Sequence, residues 1–508
     1  MSTRITDVGS GYSTFTGSAA GSKIINVDKS TRGGESTLTI YSCKNSQDLA
    51  TALNINASVA GSSGWGSFDA KMKFMESLKT SSTTITILVS ATQVVGTTTG
   101  TNPVFKASVT SALDIYRQAG DSYVSSIIEG GQFLAAYSFV SYDEETYRQL
   151  DASADAQFKG FGSDLQADFS SSIKKMSNIA NVTTTSKVTC IGLDTGLPAD
   201  PDAIVAFAQN FGNMELHSPD ILDFTTLSYN DVPGCPDFTQ IDTYRQAYFD
   251  PLNPTMRWAD IELAANAVVN AVKDVVQLYN NYGLLSVDET LQNYLPHVVD
   301  ILTQISQWRQ SVDRDPTRND IVDPVIHSEY LATPIPSYTL LPGGAVGADS
   351  GSAWNDITLE NIANGVLPKD VTIWGDRWIS GISTTYVQND ESAPTFTKAW
   401  GSLGDNTMWP TIQLMPPGEL ITEVTAFYDN HITRLTIQTT NQPAVTSPHN
   451  QNGANSKLWA IPHPGSSCFV GFQGRLDGIP TLAAIEPCFV YFQPATWQSF
   501  SNLKPHFG

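Results

Sequence analysis

Side chains able to carry covalent chemistry are scattered along this chain. Its 508 residues hold no Gly-rich phosphate loop, no His-Glu-x-x-His, no Cys-x-x-Cys and no Gly-x-Ser-x-Gly. The seven histidines are dispersed, several beside prolines (His297, His449, His463, His506), and read as loop or surface residues rather than metal ligands. Asp143-Glu144-Glu145 reads as a solvated turn rather than an acid–base couple. The expectation is therefore of no catalytic set, no metal site, no cofactor and no enzyme. The chemistry the sequence does suggest is that of partitioning between water, protein core and lipid.

Two segments carry it, because each fits two periodicities. In Asp151–Met176, Ala152, Ala154, Ala156 and Phe158 alternate with polar residues; past Gly160-Phe161-Gly162 the parity flips to Leu165, Ala167 and Phe169. Read as a helix, Phe158, Phe161, Leu165, Phe169, Ile173 and Met176 form one stripe. Gln47–Thr80 behaves alike: Leu53, Ile55, Ala57 and Val59 alternate, then Phe68, Ala70, Met72 and Phe74 follow a Gly61–Gly66 turn. Either segment suits an amphipathic helix on a sheet or a surface hairpin. Either also suits a membrane-crossing hairpin, since lipid requires every backbone group to be paired and a closed barrel does so with strands of about nine to eleven residues. Such hairpins would place Leu53, Ile55, Val59, Phe68, Met72 and Phe74, and Ala154, Phe158, Leu165 and Phe169, toward lipid. Asp155, Asp164 and Asp168 would face a lumen. In the soluble monomer the second segment is expected to be helical, its stripe against a sheet.

The elements around these segments are more one-sided. Ser122–Ser141 reads as a long strand with a bend or close backbone approach at Gly130-Gly131, a sheet hinge. Thr83–Gly96, Ser36–Cys43 and Lys187–Asp194 read as strands, and Ala107–Gly120 and Asp200–Gly212 as helices. Between about 255 and 312, one helical stripe (Ile261, Ala264, Val268, Ala271, Val275, Leu278) precedes another (Leu291, Leu295, Val298, Leu302, Ile305, Trp308), with Ser286–Glu289 as a capping box. Residues 1–34 read as a loose lead-in and Asp313–Pro336 as a linker. Short strands and glycine turns then run to the end, an all-β domain. The division expected is 1–335 and 336–508, the second part folding on its own.

Bulk properties bound the partners. A net charge of −22 argues against nucleic acid and against capture by anionic lipid through charge alone. No apolar run is long enough for a spanning helix, and the opening MSTRITDVGSGYSTF has no signal-peptide core. The chain is expected to be soluble when made and to be released by a non-classical route. Five scattered cysteines fit a reducing compartment, with a Cys468–Cys488 bridge as the alternative.

Three stretches, NSQDLATALNINASVAGSSGWGSFDAKMKFMES, YRQAGDSYVSSIIEGGQFLAAYSF and DASADAQFKGFGSDLQADFSSSIKK, resemble the bacterial and fungal branch of the membrane attack complex/perforin (MACPF) family, over roughly residues 35–315. That resemblance implies an α+β fold: a bent central antiparallel sheet flanked by helical clusters, at about 47–80 and 151–180, that unfurl into transmembrane hairpins. Gly120-Asp121-Ser122-Tyr123-Val124 stands at the family signature but lacks its Thr-His.

The C-terminal part resembles the jacalin-related lectins in PGGAVGADSGSAWNDI, PPGELITEVTAFYDNHITRLTIQTT and CFVGFQGRLDG. This resemblance implies a three-sheet β-prism and a glycan site on two loops, falling on Gly343, Gly344, Arg475, Asp477 and Gly478. Ala483 stands where the family has its sugar-binding Asp. Mannose or galactose is therefore expected to bind weakly or not at all at Gly474–Ala484, with Asp477 as the replacement carboxylate if one is held there. Together the resemblances imply a pore-forming toxin or defence protein that docks through its prism on a glycan, lipid or protein receptor of a target membrane, assembles into a ring-shaped homo-oligomer and inserts two hairpins per chain. The alternative is a non-lytic, lectin-like adhesion protein.

Overall fold

The structure is a computed structural model, and it describes residues 5, 7–20, 22–55, 66–78, 83–106, 111–142, 144–158, 165–193, 196–249, 257–376, 378–388, 395–403, 411–414, 418–446, 453–477 and 481–498. Among these, eight strands make one N-terminal sheet: β1 (Gly11–Ser13), β2 (Ser18–Ala19), β3 (Ile25–Gly33), β4 (Ser36–Cys43), β5 (Thr84–Phe105), β6 (Ser122–Ser141), β7 (Val182–Ile191) and β8 (Asp220–Ser228). The two long strands, β5 and β6, are antiparallel neighbours from Thr84↔Val140 to Thr99↔Ser126. Each changes its outer partner midway. β5 passes from β4 to β3 between Gln93 and Gly96, and β6 passes from β8 to β7 between Gly130 and Gln132.

The change coincides with glycines that have no room for a side chain. A Cβ on Gly130 would lie 2.0 Å from the Gln93 carbonyl oxygen, and one on Gly131 would lie 2.6 Å from Leu216 Cδ2 and 2.8 Å from the Ile191 carbonyl oxygen. The ladder shifts register between Val94 and Gly96 at the same level. The close approach expected at Gly130-Gly131 is thus present.

Strand alternation sends the two faces of this sheet to different partners. Leu88, Leu134 and Ala136 pack under α1 (Ser46–Ala52) and α2 (Gly66–Ser77). Ile87, Val89, Phe133, Ala135 and Tyr137 pack with α4 (Glu144–Phe158), α5 (Leu165–Ser177) and α6 (Pro201–Asn210). The short α3 (Ala112–Ala119) stops at Gly120, whose φ of 79° suits glycine. Next to it, Asp121 is fully buried and accepts from the Thr14 amide (2.6 Å) and hydroxyl (2.5 Å), with Arg245 Nε 3.6 Å away. That carboxylate ties the N-terminal turn to β6 and to α7 (Thr239–Phe249).

The long helices α8 (Trp258–Asn281) and α9 (Glu289–Arg314) follow the two stripes. Every residue of the first is buried, as are Leu291, Val298, Ile305 and Trp308 of the second. Trp308 anchors an aromatic group with Phe15, Tyr244 and Tyr248.

Three readings are corrected and one alternative, the disulfide, falls away. The cap of α9 is Asp288, accepting from the Thr290 amide, because Leu285–Val287 forms a separate 3₁₀ turn that takes Ser286 out of register. The described part of residues 1–34 is not a loose lead-in: Ile5, Val8, Tyr12 and Phe15 are buried and Ile25–Gly33 is a strand, held by partners remote in sequence. The segment after Arg314 is not a free linker. Its backbone is fastened to the helices by Tyr244 Oη to the Arg318 carbonyl (2.7 Å), the Val325 amide to Gln304 (2.8 Å) and Tyr294 Oη to the Glu329 carbonyl (2.7 Å). All five cysteines are free thiols, so Cys468 and Cys488 are unbridged.

The C-terminal part is three antiparallel sheets. The first joins β9 (Thr333–Pro342), β10 (Val346–Gly347), β11 (Ser352–Asn355), β20 (Ser467–Leu476) and β21 (Leu482–Gln498). The second holds β12 (Val366–Gly375), β13 (Ile379–Gln388), β14 (Phe396–Gly401) and β15 (Ile412–Gln413). The third holds β16 (Ile421–Tyr428), β17 (Ile432–Thr439), β18 (Val445–Thr446) and β19 (Asn455–Ala460). Their inner faces share one core, including Val371, Ile382, Val424, Leu435, Phe472 and Ile485. β9 begins three residues before the expected division, and a second core crosses it. Val275, Leu278 and Tyr279 of α8, and Tyr282 that caps it, pack on Tyr338, Val366, Val470, Val490 and Phe492. Polar ties reinforce the contact: Tyr279 Oη donates to the Gln493 carbonyl (2.6 Å), and Asp288 accepts from the Ala495 amide (2.8 Å).

The Gly130 contact yields a test. Gly130→Ala should lower unfolding free energy by about 3 kcal/mol or more, because the obstructing atom is backbone. Gly196→Ala, at a glycine with nothing within 4 Å, should be near neutral. Urea titration of both variants reads the difference.

Candidate functional site

One end of the prism gathers polar side chains from separate sheets. β20 and β21 meet at Leu476↔Leu482. There the Asp477 amide donates to the Thr481 carbonyl (3.2 Å). The Gly351 turn lies against this corner: a Cβ on Gly351, at φ +90°, would sit 1.9 Å from the Leu476 carbonyl oxygen. Arg475 spans the two, donating to the Gly351 carbonyl (3.2 Å) and pairing with the exposed Asp349 (2.9 Å).

Arg475 and Asp477 both lie at this corner, two residues apart, while Gly343 and Gly344 do not. They lie further along β21, where the Gly343 amide donates to the Pro487 carbonyl (2.9 Å) and the Gly344 amide to Glu486. Their carbonyls accept from Lys457 Nζ (3.1 and 2.8 Å) and Trp459 Nε1 (2.9 and 3.2 Å). A Cβ on Gly343 would meet Trp459 at 2.7 Å, so packing on an indole requires that glycine. Gly478 lies outside the described residues. Ala483 is buried, its carbonyl accepting from the Ala348 amide (2.9 Å). Between the two glycine turns runs an open groove of about 700 Å³, lined among others by Gly347, Trp354, Gln473, Arg475, Ala484 and Glu486. Gln473 donates to Glu486 across it (2.7 Å).

Two residues at this end escaped the sequence reading. Trp378 precedes β13 and is 39% exposed; its ring centroid is 5.6 Å from that of His431, which precedes β17. His431 Nε2 lies 3.3 Å from Asp477 Oδ2. The only local signal was an indole beside a Gly-Asp turn, and nothing local links positions so far apart in sequence.

Among the described lipid-facing candidates, Phe68, Met72, Phe74, Ala154, Phe158 and Phe169 lie in helices, Leu53 and Ile55 follow α1, and most are turned inward. Leu53, Ile55 and Phe74 are buried on one sheet face. Phe68 is buried beside Tyr12, Val124 and Phe224, and Met72 is half-buried. Ala154, Phe158 and Phe169 are buried on the other face, where Phe169 makes edge contacts with Phe158 and Tyr137, both at 5.9 Å. Val59, Gly160, Gly162, Asp164 and the side chains of Leu165 and Asp168 lie outside the described residues.

A lysine secures each cluster. Lys44, at the end of β4, reaches Asp151 (2.5 Å) and Asp155 (3.2 Å) of α4. Asp155, read as lumen-facing, is here an ion-pair partner. Lys71 of α2 is 2% exposed and donates to the Leu222 carbonyl (3.1 Å) of β8. Burial pushes its ammonium down to about 8, opposed by Asp223, whose carboxyl burial pushes up. Among the described residues no group of three His, Cys, Asp or Glu side chains could hold a metal, and no helix is long and apolar enough to cross a membrane.

The family of jacalin-like lectin domains matches residues 343–485. Among solved structures, the chain is similar to a mannose-binding jacalin-related lectin from Ananas comosus, at 20% identity over 30% of this chain and 98% of that one (TM-score 0.23). It is similar to a Malaysian banana lectin at 21% identity over 31% and 99% (TM-score 0.23), and to frutapin from Artocarpus incisa at 19% over 30% and 96% (TM-score 0.24). No curated protein matches the chain. Residues 343–485 are therefore a jacalin-like lectin domain, which suggests carbohydrate binding.

Lys71 gives a pH-dependent expectation. The folded ammonium is depressed to about 8 from an ordinary 10.5, so the unfolded chain holds more protons between those values. Stability should therefore rise through that window, by an amount on the order of a few kcal/mol. Lys71→Met should lack this rise, seen as a difference in urea-unfolding free energy between the two proteins at pH 7.5 and pH 10.

Proposed function

We propose that this is a pore-forming protein of the MACPF kind, with residues 1–335 as the assembling and inserting body and the prism from 336 as the attachment module. The prism docks on a glycan-bearing membrane, chains associate in a ring, and the 47–80 and 151–180 segments become membrane-crossing hairpins.

One observation carries the reading. Four neighbouring strands, β4-β5-β6-β7, end at one level, where Cys43 faces Thr86, Thr84 faces Val140 and Ser141 faces Val182. The chain between β4 and β5 includes α1 and α2, and the chain between β6 and β7 includes α4 and α5. Both double-period segments are thus connections between antiparallel partners. Turning each into strands extends one continuous four-stranded ladder without breaking any existing pair. Their alternation then puts apolar residues on one face and polar residues on the other, as a barrel wall in lipid requires. Release would cost the Lys44 ion pairs and the burial of Phe158, Phe169 and Phe74, which lipid would replace by an apolar surface of similar kind.

The test is an engineered disulfide tying α4 to the central sheet, assayed with dye-loaded liposomes made from target-cell lipid extract. The oxidised protein should bind without releasing dye, and reduction should restore release. Release by the fully oxidised protein would defeat the proposal. Binding without release in the reduced state would leave the adhesion reading.

A further inference from the structure

We propose that the segment 7–20 is an internal clamp on α2, so that the 47–80 segment leaves the sheet only when this clamp lifts; this rests on the pore-forming reading above. α2 is held on three sides. Phe74 lies on the sheet face with Leu88 and Leu134. Ser67 donates its hydroxyl to the Ile221 carbonyl and Lys71 its ammonium to the Leu222 carbonyl (3.1 Å), both of β8. On the third side Phe68 forms one buried cluster with Ile5, Val8, Tyr12 and Val124. Phe224 of β8 stands between the two chain segments, edge-on to Tyr12 at 5.2 Å and to Phe68 at 5.8 Å.

The clamp is fastened to parts of the body outside both double-period segments. The Gly9 amide donates to the Val124 carbonyl (2.7 Å), the Val124 amide donates to the Ser10 carbonyl (2.8 Å), and Gly11 and Tyr12 pair with Tyr123 and Ser122 of β6. The buried Asp121 carboxylate takes the Thr14 amide and hydroxyl, and Lys23 and Lys29 hold Asp7 at 3.0 and 2.7 Å. These ties do not use the chain between β4 and β5, so they remain whole when α2 moves, and α2 moves only by drawing Phe68 out from under Tyr12. The other helical cluster has no counterpart. Among the described residues its core joins α4, α5 and α6 to the sheet and takes nothing from the first 34 residues.

Amide hydrogen exchange on the full-length chain in solution tests the clamp without a membrane. In the wild type, residues 8–13 and 66–77 should open as one unit with the same denaturant dependence, apart from 144–158. This readout needs no variant to fold. Tyr12→Ala should speed exchange in 66–77 about tenfold or more and leave 144–158 at the wild-type rate, while Tyr12→Phe should match the wild type. Separate opening of 8–13 and 66–77 in the wild type, or equal acceleration of both helical clusters in Tyr12→Ala, would overturn the clamp. On dye-loaded liposomes Tyr12→Ala should release dye at a lower protein concentration than the wild type. Release at the wild-type concentration despite faster exchange would overturn the clamp's hold on insertion. No release by either protein would defeat the pore-forming reading instead, and the exchange rates would still decide whether α2 is clamped.

Discussion

The N-terminal body depends on a contact between two backbones. Where Gly130 passes Gln93 no side chain fits, and at that level both long strands exchange their outer partners. Had both strands ended there, the sheet would be two smaller sheets. Because both run through, residues of one alternation from Ile85 to Phe139 share a core with α4–α6, and residues of the other share one with α1–α2. Each helical cluster thus has a continuous apolar floor. The same continuity brings the strand ends beside Cys43 and Ser141 to one level.

The double period of the two helical segments follows from this placement. A helix on a sheet needs one stripe at steps of three and four, and a hairpin needs alternation; the spacing of Phe158, Phe169 and Ile173 satisfies the first while Ala154 and Phe158 satisfy the second. In the folded chain the stripe prevails, because β4–β7 already offer a formed apolar surface and helices satisfy their own backbone groups. The lysines add direction more than strength. Lys44 is about one-third exposed, so its pairs with Asp151 and Asp155 contribute little in water, whereas Lys71 is buried with its ammonium held by the Leu222 carbonyl and over the Phe68 ring.

What could be read from sequence was what local periodicity determines. Ser122–Ser141 is a strand over those same residues, and the stripe from Ile261 to Leu278 is buried throughout. What could not be read depends on distant partners. Ile5, Val8, Tyr12 and Phe15 lie among Gly, Ser and Thr with no period, yet are buried because β6 and the helical pair cover them. Asp288 rather than Ser286 caps α9 because a 3₁₀ turn intervenes. In the site, Arg475 and Asp477 were legible as neighbours in sequence, while Trp378 and His431 reach Asp477 only through the packing of three sheets.

The core that α8 shares with the prism has a mechanical consequence. Tyr279 and Tyr282 are sunk among Tyr338, Val490 and Phe492, and the segment after α9 is fastened down by Tyr244, Gln304 and Tyr294. A string-like tether would let the lectin end swivel while the rest of the molecule stayed slack. Here the joint resembles a bolted bracket, so a pull on the loop end of the prism is transmitted as torque to α8 and onward to the helices packed beside it. Give in the molecule must then come from within the body, at elements held by few contacts, and not from a swivel beneath the lectin.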